Sequence, residues 1–172
     1  MLQRELRQIP LTAFLAVAGI LLPQIFHLFG LGAIFLPMFL PVMLGGLILS
    51  WRFALLLAVI TPLISWLFTG MPPLVPPVLP VLIVELLVVN AILSLLHVHL
   101  KWNLWAALLL AILTDRLLLL ALVSVIAPLF GWRHPLFSLA LVSSGLPGIA
   151  LQMVVLPLTV RLIRERWKLR LE

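Results

Sequence analysis

Apolar residues run along this chain in long unbroken stretches, each closed by glycine, proline or charge. Crossing the hydrocarbon of a bilayer takes roughly 20 such residues as a helix. The pattern predicts spans at 11–26, 33–50, 53–69, 81–96, 104–127 and 146–162. The first ends at the glycine-punctuated turn His27-Leu28-Phe29-Gly30-Leu31-Gly32. The second carries Pro37 and Pro41, which predicts a kink or a broken first turn. After the third span come five prolines in the eleven residues from Gly70 to Pro80. Regular helix cannot hold them, so a stiff, ordered loop is expected there. The sixth span starts either at Pro147 or near Leu136 with a kink at Pro147. The stretches are continuously apolar rather than alternating, which argues against the strands of a membrane barrel. The expected fold is an all-α integral membrane protein, one transmembrane domain forming a six-helix bundle.

Composition sharpens this reading. Of 172 residues, 65% are hydrophobic and 9% charged, where a soluble domain carries about a quarter charged residues. So small a volume cannot hide that much apolar surface from water. Six short spans use up the length, leaving no room for a soluble catalytic domain. The net charge is +6, which in a soluble protein would suggest nucleic acid. Here the basic residues sit at span ends, so no nucleic-acid partner is expected. With no cysteine, disulfides and thiolate metal sites are excluded. Arg4, Arg7 and Ala16-Val17-Ala18 have the look of a leader with a cleavage box. The apolar run continues through that box to Leu22, so a first span is expected instead.

Lysine and arginine asymmetry sets the orientation. With the N-terminus in the cytoplasm, Arg4, Arg7, Arg52, Lys101, Arg161, Arg164, Arg166, Lys168 and Arg170 all fall inside. Only Arg133 falls outside, and Arg116 lies within a span. An even number of spans with both termini cytoplasmic is expected, in the plasma membrane. The stretch from Arg161 to Glu172 is expected to carry the last helix into the headgroups, where its cations meet anionic lipid.

Ionisable groups inside spans carry the most information. Each costs about 2.5–3.5 kcal/mol at a helix centre and must face protein or water. Glu85 lies about one turn into the fourth span; Asp115 and Arg116 lie near the middle of the fifth. The levels differ by roughly 10 Å at 1.5 Å per residue, so a Glu85–Arg116 contact needs a long reach or a broken helix. Either these groups line a ligand cavity, or Asp115 and Arg116 form a polar cluster that only holds helices together. Gln24, His27, Trp66 and Thr69 end spans on the outer side, with Asn90 and Gln152 inside spans. Convergent polar groups in a cleft are the default binding-site hypothesis, although His27 and Trp66 also suit plain interfacial anchoring. His97-Val98-His99 is no metal site: the two rings do not share a helix face and no third ligand is near. No nucleophile motif is present, so neither a catalytic residue nor a cofactor is expected. Small residues form stripes. Thr12, Ala16 and Gly19 share one face of the first span, as do Ala54, Ala58, Thr61, Ser65 and Thr69 in the third. Such stripes let backbones approach closely, either within the bundle or against another membrane subunit.

The run Phe35-Leu36-Pro37-Met38-Phe39-Leu40-Pro41-Val42-Met43-Leu44-Gly45-Gly46 resembles the second span of the substrate-binding S components of energy-coupling factor (ECF) transporters. Leu67-Phe68-Thr69-Gly70-Met71-Pro72-Pro73-Leu74, Glu85-Leu86 and Arg116 resemble the same family, so the likeness spreads over Gly19 to Arg116. It implies capture of a vitamin or similar micronutrient from outside, with loops His27–Gly32 and Gly70–Pro80 as gates. It also implies a transmembrane coupling subunit and two cytoplasmic ATPases as partners. The family's Ala-xxx-Ala docking pair would fall on Thr12-xxx-Ala16, a departure that keeps the residues small. Phe39 stands where histidine is usual and Asp115 where glycine is usual, which bears on the substrate.

The expected function is a substrate-capture subunit. Glu85, Asn90, Arg116 and Gln152 would orient a small polar molecule, Trp66 would form a wall, and His27 and Thr69 would lie at its mouth. Thr12, Ala16 and Gly19 would dock the coupling subunit. The alternative is a structural membrane protein of the cell-shape scaffold, MreD-like, whose polar residues only knit helices.

Overall fold

The computed structural model describes residues 8–131 and 145–168. Every regular element among them is helical. They are α1 (Gln8–Leu28), α2 (Gly32–Phe35), α3 (Phe39–Ile48), α4 (Trp51–Thr69), α5 (Val78–Leu93), α6 (Leu104–Ala121), α7 (Ala127–Leu129) and α8 (Leu146–Lys168). Two π-helical stretches extend them: Ser94–His99 continues α5, and Leu122–Ile126 joins α6 to α7. Among the described residues five helices are long and apolar enough to cross a membrane, the third and fourth of them being Val78–His99 and Leu104–Leu129. The expected second span at 33–50 is broken, so α3 is a short apolar helix of 10 residues.

Local chemistry explains the ends. The chain leaves α1 through Gly30 at φ 67, and Phe26 closes the turn against Phe35 with ring centroids 5.6 Å apart. Leu36 then takes the left-handed conformation, φ 47 and ψ 53, and Pro37 prevents the helix from running straight on. That is where the second span breaks. Gly70, at φ 70, terminates α4 with its N–H donating to the Trp66 carbonyl, the left-handed cap for which glycine has no steric penalty. The Asn103 side chain accepts from the Trp105 N–H at 2.9 Å and caps α6. Pro147 lies in the first turn of α8, where its missing N–H would have had no helical partner. The alternative start near Leu136 lies outside the described residues, as do Arg4, Arg7, Arg133 and Arg170.

The central element is α3, which packs against α1, α4, α5 and α8. Phe39, Val42, Met43 and Leu47 on it are all buried, and Gly45 and Gly46 let neighbours close in. A Cβ on Gly46 would stand 2.5 Å from the Asn90 side-chain oxygen. Lipid offers no hydrophobic drive between helices, so such close van der Waals fits hold the bundle together. The outside is apolar in turn: Phe14, Leu21, Leu67 and Phe68 are exposed, as a lipid-facing surface requires.

Candidate functional site

Three ionisable side chains meet inside the bundle. Glu85 on α5 is 6% exposed and Asp115 on α6 is 4% exposed, and α5 packs along α6. Arg116 turns back on its own neighbour: Nε donates to Asp115 Oδ2 at 3.0 Å and Nη2 donates to the same oxygen. Glu85 lies within electrostatic reach of both Asp115 and Arg116. Glu85 Oε1 and Asp115 Oδ1 are buried without a hydrogen-bond partner, an arrangement that is costly at lipid depth.

Residue counting puts Asp115 and Arg116 mid-span, but the surroundings of Arg116 are those of a span end. Its Nη1 would lie 3.0 Å from a Cβ on Gly145, the residue before α8, and Leu36 Cδ1 would lie 2.9 Å from the same point. The guanidinium therefore sits where α8 begins and the second span breaks. Arg116 stays at the middle of its 26-residue span, Leu104–Leu129, and it is α8 that begins at this level. Gly145 leaves room for the guanidinium. Gly148, one turn on, is tighter: a Cβ there would meet the Phe35 carbonyl oxygen at 2.6 Å. Neither glycine stands out in the sequence, because the contacts that need them come from far along the chain.

The other expected site residues are placed less compactly. Asn90 is fully buried, with Nδ2 donating to the Leu86 carbonyl at 2.8 Å. It lies roughly 7.5 Å further along α5 than Glu85 and about 140° round the axis, against α3 at Gly46. Gln152 on α8 is buried with Nε2 unpartnered. His27 and Thr69 are exposed and Trp66 is half-buried. The His27 ring covers Gly32 at the start of α2. The Thr69 hydroxyl donates to the Ser65 carbonyl at 2.7 Å and accepts from the Met71 N–H at 3.2 Å, holding the proline-rich loop to the end of α4. The small stripe of α1 faces inward. Thr12 and Ala16 are buried, and a Cβ on Gly19 would meet Thr61 at 2.6 Å. Those three residues pack within the chain.

At the opposite, basic end, His97 links two segments to the π-helical turn. Its Nδ1 lies 3.0 Å from the Trp102 carbonyl oxygen and its Nε2 lies 2.7 Å from Arg164 Nη2. An arginine only donates, so Nε2 is the acceptor and Nδ1 carries the proton. Beside it opens a cavity of about 720 Å³ lined by Leu104, Trp105, Pro157, Arg161 and Arg164 among others. None of the Glu85–Asp115–Arg116 group lines it. Among the described residues no three His, Asp or Glu side chains gather as metal ligands would.

The chain matches the family described as "ECF transporter, substrate-specific component" over residues 7–161. No curated protein and no solved structure matches it. The family match covers nearly the whole helical bundle, broken second span and buried charges included, and the likeness seen from Gly19 to Arg116 falls inside it. The chain therefore belongs to the family of substrate-specific components of ECF transporters, membrane transport subunits that work with a membrane coupling subunit and ATPases.

Proposed function

We propose that the chain captures a small, water-soluble micronutrient of the vitamin type from outside the plasma membrane. Both termini lie in the cytoplasm in this reading. The substrate enters past His27–Gly32 and Gly70–Pro80, with His27, Trp66 and Thr69 near the mouth. Glu85 and Arg116 hold its polar groups, and Asn90 and Gln152 contact it deeper in the bundle. A coupling subunit and two cytoplasmic ATPases supply the energy, since nothing in the sequence resembles a phosphate-binding P-loop.

One observation carries the proposal. Glu85, Asp115 and Arg116 are gathered in the interior of an apolar bundle, with carboxyl oxygens on two of them lacking any hydrogen-bond partner. A cluster that served only to knit helices would close its own hydrogen bonds. Calorimetric titration of the purified protein with a panel of water-soluble vitamins tests it. A ligand bound more tightly than micromolar is expected; its absence across the panel overturns the capture role.

A further inference from the structure

We infer that the Glu85–Asp115–Arg116 site selects a ligand bearing a cationic or N–H-rich group, such as an amine, amidine or aminopyrimidine, over one bearing a carboxylate or phosphate. The inference rests on the capture role proposed above and adds the chemical class of the substrate.

Charge balance comes first. Among the described residues the site holds two carboxyl groups and one guanidinium. Arg116 commits both Nε and Nη2 to Asp115 Oδ2. That edge of the guanidinium is one a carboxylate or phosphate could grip with paired hydrogen bonds, and here it is already taken. Asp115 answers the charge of Arg116, so among the described residues Glu85 remains as the group with no countercharge of its own. It is 94% buried, being 6% exposed, and its Oε1 has no hydrogen-bond partner.

Hydrogen-bond polarity points the same way. The two unpartnered atoms of the charged cluster, Glu85 Oε1 and Asp115 Oδ1, are both carboxyl oxygens, and the unpartnered donor Gln152 Nε2 lies outside that cluster, on α8. A ligand offering N–H donors or a positive charge satisfies both. An anionic ligand would meet two carboxyl groups in a low-dielectric interior and could displace Asp115 only by leaving it unpaired. Specificity of this kind comes from the repulsive element as much as from the attractive one.

The test uses the purified full-length protein in lipid nanodiscs and two sets of probes read by calorimetry. One set is agmatine, pyridoxamine and thiamine; the other is nicotinate, pantothenate and biotin. Binding confined to the first set is expected, with Glu85→Gln weakening it by about ten- to a hundredfold, the loss of a charge-assisted hydrogen bond. Asp115→Asn gives a second reading should Glu85→Gln fail to fold. It frees Arg116 and is expected to move preference toward the carboxylate probes. Tight binding of an anionic probe to the native protein overturns the ligand class and leaves the capture role standing. A cationic probe whose affinity ignores both substitutions overturns the assignment to this site. Silence in both sets overturns the inference together with the capture role.

Discussion

Arg116 and Asp115 are adjacent in sequence and on one helix, yet their side chains close on each other rather than spreading apart. Arg116 is 15% exposed as a side chain and Asp115 is 5% exposed, so removing either leaves a charge largely enclosed. Arg116→Leu is expected to lower stability by about 3 kcal/mol, the low end for breaking a buried pair. Replacing both by leucine should cost less than the single change, because no uncompensated charge remains. Thermal unfolding of the native protein, Arg116→Leu, Asp115→Leu and the double variant in detergent checks it; a double-variant loss equal to the sum of the two single losses would show that the pair does not act as a unit. Gly148 offers a steric counterpart. Gly148→Ala drives a Cβ to 2.6 Å from the Phe35 carbonyl oxygen, and a backbone carbonyl cannot swing aside as a side chain can. A loss of about 1–3 kcal/mol is expected, as for other overpacked positions, and the same unfolding assay reads it. The charges of this site were legible in the sequence because an ionisable residue inside an apolar run is conspicuous. Gly145 and Gly148 were not, since what they accommodate is Arg116 and Phe35, far away along the chain.

Among the elements, the junction of α5, the following turn and α8 depends on one imidazole. His97 accepts from Arg164 and donates to the Trp102 carbonyl, so it ties the basic half of α8 to the turn before α6. Arg164→Ala is expected to cost about 1 kcal/mol, since Arg164 is exposed and a bond there trades with water. Hydrogen–deuterium exchange should show faster exchange at residues 96–102, with α3 unchanged; unaltered protection across that turn would mean the bond contributes nothing. The helical architecture itself was readable because apolar runs bounded by glycine and proline leave lipid-spanning helices little competition. Pro37 and Pro41 announced the broken second span, and the break falls at Leu36, where the backbone turns left-handed. The continuation of α5 and α6 into π-helical turns was not readable. A π-turn leaves no mark of its own in Ser94-Leu95-Leu96-His97-Val98-His99 or Leu122-Val123-Ser124-Val125-Ile126.

At the scale of the whole molecule, the described helices sort their charges to one end. Arg52 begins α4, Lys101 precedes α6, and Arg161 and Arg164 lie in the last third of α8. The Glu85–Asp115–Arg116 site lies toward the other end, where α8 starts and the second span breaks. Cations beside span ends are retained on the cytoplasmic side during insertion, so the basic end is expected to face the cytoplasm and the site to face outward. Reporter fusions decide this without reference to ligand. A fluorescent protein joined after Glu172 should fold and fluoresce, as it does only in the cytoplasm. Alkaline phosphatase fused within the 132–144 segment should be active, as it is only outside. The broken second span makes the result informative. With 10 residues α3 rises only about 15 Å, half the hydrocarbon thickness of roughly 30 Å, so it crosses only if α2 and the bend at Leu36 complete the passage. If they do, both termini share one side, and a fluorescent protein joined before Met1 should fluoresce as well. A bright C-terminal fusion with a dark N-terminal one would mean that α2 and α3 re-enter the side they left. The chain would then cross five times, and the loop at Gly70–Pro77 would lie on the same side as the 132–144 segment with the N-terminus beside them.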